Sequence, residues 1–180
     1  MTNEPLPASM NVRDARDAYL SVNGFTVEAY DSKWTDASFL GVKFRVPNTQ
    51  MHRVSIMLHD LHHVATGFGT DLAGEGEISA WEARHGLRAL GAYVGGIVAS
   101  GVLLGLVMAP KRTVRAWRNS SIADDSLFPL VRREDFTKRY EELLAMTVGE
   151  LRALLGIPEE GVVHGPQGLH AYAPKSVSMA

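Results

Sequence analysis

His59-Asp60-Leu61-His62-His63, followed after eleven residues by Glu75, gathers four side chains able to bind a metal ion at a spacing that a helix can use. Residues four apart lie one above the other on a helix face, so His59 and His63 can present two imidazole nitrogens to one ion. Asp60 sits about 100° round the helix from His59. From there it reaches the ion only from the side of that face, or serves as an acceptor that fixes the tautomer of a ligating histidine. Between His63 and Glu75, three glycines (Gly67, Gly69 and Gly74) mark a helix end and a connection. A second helix is expected to begin near Glu75, where the macrodipole favours an ionised carboxylate in the first turn.

With nitrogen and oxygen donors and no sulfur, the ligand set leaves zinc, iron(II), manganese and cobalt as candidates and disfavours calcium or an iron–sulfur cluster. Two histidines and one carboxylate would form a facial triad with open positions for substrate or dioxygen, whereas four ligands would form a closed zinc site. His52 falls on the same face, seven residues before His59 and eleven before His63, and His62 lies on the flank of that face. Both are read as core or surface histidines ahead of spare ligands.

The elements that must position these residues are mostly helical. At 180 residues, with a net charge of −2 and a pI near 6.4, the chain suits one domain and gives no support for nucleic acid as its partner. It has no cysteine, which removes a disulfide framework and a thiol nucleophile. Residues 1–20 carry Glu4, Asp14 and Asp17 and lack a long apolar core, so no secretory signal or transit peptide is expected there. Walker, nucleophile-elbow and dinucleotide fingerprints are missing. We expect an all-α fold with a short helix over Val12 to Leu20 and a small hairpin of Phe25–Tyr30 with Val42–Val46, Asp31, Ser32 and Asp36 breaking the chain between them. Asn48 or Thr49 should cap the metal-bearing helix, and closing helices are expected over Arg133–Met146 and Thr147–Leu155, the latter with a Thr147/Glu150 capping box. The tail, residues 159–180, reads as surface-hugging or disordered.

Ala89 to Pro110 is uncharged and nearly long enough to span a bilayer. Gly91 and Gly95, then Gly101 and Gly105, are spaced four apart and would admit a second helix or a ligand to the backbone. Arg88 flanks one end, and Lys111, Arg112, Arg115 and Arg118 crowd the other, where anionic headgroups would meet them. A buried central helix, a lipid-facing or tail-binding helix and a membrane span are the three competing readings, in that order.

Around its metal motif the chain resembles the coenzyme Q (ubiquinone) biosynthesis protein four family, whose signature is His-Asp-x-x-His, eleven residues, then Glu. His63-Val64-Ala65-Thr66-Gly67, Gly74-Glu75 and Trp81-Glu82-Ala83 are similar to its following segments. Tyr140-Glu141 and Leu151-Arg152-Ala153-Leu154-Leu155-Gly156-Ile157 are similar to its closing helix. The likeness spans about Ser55 to Ile157. In place of that family's Arg-Tyr-Arg-Glu run, this chain has Asn48 to Val54. The resemblance implies one divalent ion, zinc first, on His59, Asp60, His63 and Glu75. It also implies a polyprenyl hydroxybenzoate-type substrate that undergoes oxidative decarboxylation and hydroxylation at the first ring carbon. An apolar trench past Gly95 and Gly101 would take the prenyl tail, and Arg84 or Arg88 would hold the carboxylate. The expected setting is cytoplasmic, peripheral on the inner face of the membrane, among other ubiquinone-biosynthesis proteins, with room for a homo-oligomer. A non-catalytic prenyl-lipid scaffold, and a metal-dependent hydrolase using Glu77 or Glu82 as base, are the rival readings.

Overall fold

Side-chain caps mark where several of the helices begin. In the computed structural model, which describes residues 6–39, 42–120 and 126–162, helix α1 (Val12–Asn23) starts where Asn11 accepts a hydrogen bond from the Arg13 N–H. Helix α2 (Gln50–Thr66) starts at Thr49, whose hydroxyl accepts from the His52 N–H. It ends at Gly67, whose φ of 81° no β-carbon-bearing residue adopts cheaply. Helix α3 (Leu72–His85) opens on Asp71, whose carboxylate accepts from the Gly74 N–H, so Glu75 stands in the first turn as expected. Helices α4 (Gly91–Met108), α5 (Pro110–Asn119), α6 (Phe136–Leu144) and α7 (Val148–Leu154) follow, and the expected capping box of Thr147 and Glu150 opens the last.

The fold is all-α with one small antiparallel hairpin, as expected. Its first strand is not the expected one. Strand β1 (Trp34–Phe39) pairs with β2 (Val42–Pro47) in a register running from Trp34 opposite Pro47 to Phe39 opposite Val42. Val27–Asp31 is instead a 3-10 turn; Asp31 and Ser32 lie before the hairpin as breaks, but Asp36 is inside β1 opposite Arg45 and does not interrupt pairing as expected. The physical reason is tertiary. The Asn48 side-chain amide donates to the carbonyls of Tyr30 and Ser32, and the Tyr30 ring is buried under α2. Those bonds satisfy backbone groups that a strand over Phe25–Tyr30 would have needed to pair elsewhere.

Helix α2 runs through the middle of the molecule and meets α1, α3, α4 and α7. Leu58, Leu61, Val64 and Ala65 are wholly inaccessible, and Trp81, Phe128, Leu144 and Leu151 close over them from α3 and the C-terminal third. Burial of each such large side chain contributes about 1.5–3 kcal/mol.

Helix α4 does not occupy the centre, contrary to the reading placed first for this segment. Only Val94, Val98 and Gly105 along it are buried, while Tyr93, Leu103, Leu106, Val107 and Met108 face outward. The helix lies against α3 on a seam of small residues. A β-carbon on Gly105 would stand 2.6 Å from the Gly76 Cα, and one on Gly101 would overlap Ser79. Glycine therefore sets the helix separation. Of the tail, residues 163–180 lie outside the described residues. Its start is docked, since the Val162 N–H donates to the Thr66 carbonyl at the end of α2.

Candidate metal centre

Helices α2 and α3 bring His59, His63 and Glu75 together as a group able to hold a metal ion. The Nε2 atoms of the two histidines face each other at 3.1 Å. Glu75 Oε2 lies 3.5 Å from His59 Nε2, and its Oε1 lies 3.6 Å from His63 Nε2. Neighbouring ligand atoms on a tetrahedral ion with bonds of about 2.0–2.1 Å stand about 3.3 Å apart. The three separations straddle that value, so the residues fit one small divalent ion.

Each histidine is held with its Nε2 directed at this point. The Gly67 turn folds the chain back so that the Phe68 carbonyl accepts from His63 Nδ1 at 2.9 Å, and Gly69 packs so closely on Gly74 that a β-carbon on Gly74 would overlap the Gly69 carbonyl. His59 Nδ1 bonds Glu82 Oε1 at 2.7 Å. Occupied Nδ1 atoms turn both Nε2 atoms toward an ion, the arrangement that fixes the tautomer of a ligating histidine; His59 would give up its Nε2 proton as the ion binds. Tyr19 stacks on His63, with ring centroids 5.4 Å apart.

The local charge also favours a cation. Burial acts to lower the His59 pKa, but the charge of Glu82 and the hydrogen bonds that His59 donates to Glu75 and Glu82 outweigh it and hold that pKa well above the ordinary imidazole value. Burial brings His63 down to about 4, keeping it neutral and able to ligate. Glu82 is brought to about 2, because the charge and hydrogen bond of His59 overcome the burial that would raise it. Glu75 is lowered too, with the neighbouring His63 and His59 overriding burial. Two carboxylates held ionised around two imidazoles call for positive charge between them. The site is open on one side: the His59 and Glu75 side chains are 24% and 38% accessible, and His63 is wholly buried.

Asp60 stands outside this group. Its carboxylate accepts from the Tyr30 hydroxyl at 2.5 Å, and burial raises its pKa to about 6. Next to that pair, the buried Arg16 donates to the Tyr140 hydroxyl at 3.1 Å. The expected four donors thus divide into three that converge and one engaged in a buried polar chain. His52 is buried edge-on to Tyr93, and His62 is fully buried, its Nδ1 on Glu82 and its Nε2 accepting from the Leu127 N–H. Both read as core histidines. Glu82 is the residue whose role sequence reasoning missed. It sits seven after Glu75, two turns on along the same face of α3, and that spacing was a usable signal.

The expected substrate residues are not gathered at this centre. Arg88 is exposed beyond the far end of α3, whose rise alone puts about 15 Å between Glu75 and His85. Arg84 lies over the Trp117 ring, 5.4 Å from its centroid. Gly101 packs against Ser79, and Gly95 makes ordinary contact with Leu87. Comparison with protein-family models, with curated proteins and with solved structures returned no match for this chain.

Proposed function

We propose that the protein binds one divalent ion through His59, His63 and Glu75 and acts on a prenylated aromatic acid of ubiquinone biosynthesis. The observation that carries this reading is the open side of a three-residue group whose histidine tautomers are already set. A closed structural site would surround its ion with a fourth protein ligand, whereas Asp60 is engaged by Tyr30. Zinc comes first on the motif's resemblance, and iron, manganese and cobalt suit the same donors. A bound ion would supply Lewis acidity toward the substrate's carboxylate or phenolate and, if it is iron, redox capacity toward dioxygen. In the reaction the carbon–carboxyl bond breaks, carbon dioxide leaves and a hydroxyl replaces it. Dioxygen provides that oxygen atom, and an external two-electron reductant takes the other atom to water.

Gly101 is occupied in packing against Ser79, which favours a place for the tail other than that glycine. In our reading the exposed apolar face of α4 rests on a membrane surface, with Lys111 and Arg118 of α5 toward anionic headgroups, and the tail stays in the lipid. The packing face of α4 reaches the backbone of Glu75 through Gly101, so this helix and the ligand-bearing turn of α3 are neighbours. Against the hydrolase reading stand the pairing of Glu77 with Arg112 and Arg115 and of Glu82 with two histidines. The non-catalytic scaffold remains the second reading, favoured by the same exposed face. Incubating metal-loaded protein on vesicles with tailed and tail-less hydroxybenzoates, with dioxygen and a reductant, separates them. The enzyme releases the carboxyl of the tailed compound faster, and binding without release supports the scaffold.

A further inference from the structure

One oxygen of Glu82 accepts from two rings at once. Oε1 lies 2.7 Å from His59 Nδ1 and 2.8 Å from His62 Nδ1, in a side chain with no accessible surface. The other oxygen, Oε2, is buried without a hydrogen-bond partner among the described residues. A carboxylate so placed loses much hydration and keeps only those two bonds in return, an expense that packing alone does not require. The position is otherwise apolar: Trp81 is next to it, and the His62 ring meets Trp81 and Phe128 edge-on. A leucine or methionine of similar size would fill the same space.

We infer that Glu82 is the positioning residue of the metal centre: it forces the Nδ1–H tautomer on His59 and ties that ring, through His62, to the segment that begins at Leu127. His62 has its own Nε2 committed as acceptor for the Leu127 N–H at 2.9 Å, so its Nδ1 must carry the proton it gives to Glu82. With one bond on Oε1 fixed in this way, His59 completes the pair by donating its own Nδ1–H, and its Nε2 is left as a lone pair facing His63 and Glu75. Removal of Glu82 frees the His59 ring to flip or change tautomer without touching any ligand atom. The chain from Leu127 to His59 then runs amide, His62, Glu82, His59, every link a hydrogen bond. This inference rests on the metal reading above.

Cobalt(II) serves as the probe, because its visible spectrum reports ligand geometry independently of turnover. Titration of wild-type protein, Glu82→Gln and Glu82→Ala, each checked for native circular dichroism, should give a graded result. Glutamine keeps a carbonyl that accepts from both rings, so its cobalt spectrum should match wild type. Alanine should weaken cobalt binding by about 10- to 100-fold, the usual cost of losing such a support, and should shift the spectrum. An alanine variant with wild-type affinity and spectrum overturns the inference and leaves the metal reading standing. Wild-type protein that binds no cobalt overturns both. Should the alanine variant fail to fold, long-range nitrogen–proton NMR on zinc-loaded wild-type protein decides instead. A His59 ring protonated on Nδ1 and ligated through Nε2 is the expected result, and ligation through Nδ1 contradicts it.

Discussion

Gly76, the residue after the ligand Glu75, lies against Gly105 of α4 so closely that neither has space for a side chain. The apolar helix and the helix that carries the carboxylate are therefore fitted to each other one residue from Glu75.

Gly105→Ala should destabilise the protein by about 1–3 kcal/mol, since the added carbon meets backbone that cannot rotate away. Gly96→Ala, on the same helix, meets nothing within 4 Å and should gain about 0.5–1 kcal/mol from helix propensity. Urea unfolding of the two variants checks the contrast. Equal effects would mean that α3 and α4 do not pack as described.

Leu103 and Val107 are 65% and 78% exposed on α4, so replacing both by Glu should leave folding within about 0.5 kcal/mol per site. The same pair should abolish sedimentation with vesicles that contain phosphatidylglycerol. Wild-type binding should weaken in high salt, because Lys111 and Arg118 contribute by charge. Wild-type protein that stays in the supernatant at low salt would remove the membrane from the account.

The capping box of α7 predicts an acid-sensitive helix end. The Thr147 N–H and hydroxyl both donate to Glu150 Oε2 and lower the Glu150 pKa below its usual value. A depressed carboxylate contributes stability that is present above its unfolded pKa and lost as pH falls through the lower folded one. Protection of the Thr147 amide, relative to its intrinsic exchange rate, should fall below that point in wild type and be low at every pH in Glu150→Ala. A Glu150 carbon shift that titrates at the free-peptide pKa would contradict the cap.

Local chemistry made much of this legible in the sequence. Thr49, Gly67 and Thr147 act within a few residues of themselves, and the His59/His63 spacing needs only a helix. The hairpin's first strand was misplaced because Asn48 and Asp60, both distant in sequence, decide what Tyr30 does. The buried side of α4 was hidden for another reason. Its packing face consists of glycines against Gly76 and Ser79, and hydropathy along a uniformly apolar helix gives such residues no direction. The support from Glu82 to His59 joins two helices: the seven-residue spacing from Glu75 puts Glu82 on the right face of α3, but only the packing of α3 on α2 names its partner.

The measurement closest to the central claim is a zinc or cobalt titration of metal-stripped wild-type protein beside His63→Ala. The account predicts one equivalent bound by the wild type, and a loss in the variant exceeding the about 100-fold that a supporting contact can cost. Equal occupancy of the two proteins after dialysis would show that the ion, if there is one, sits elsewhere.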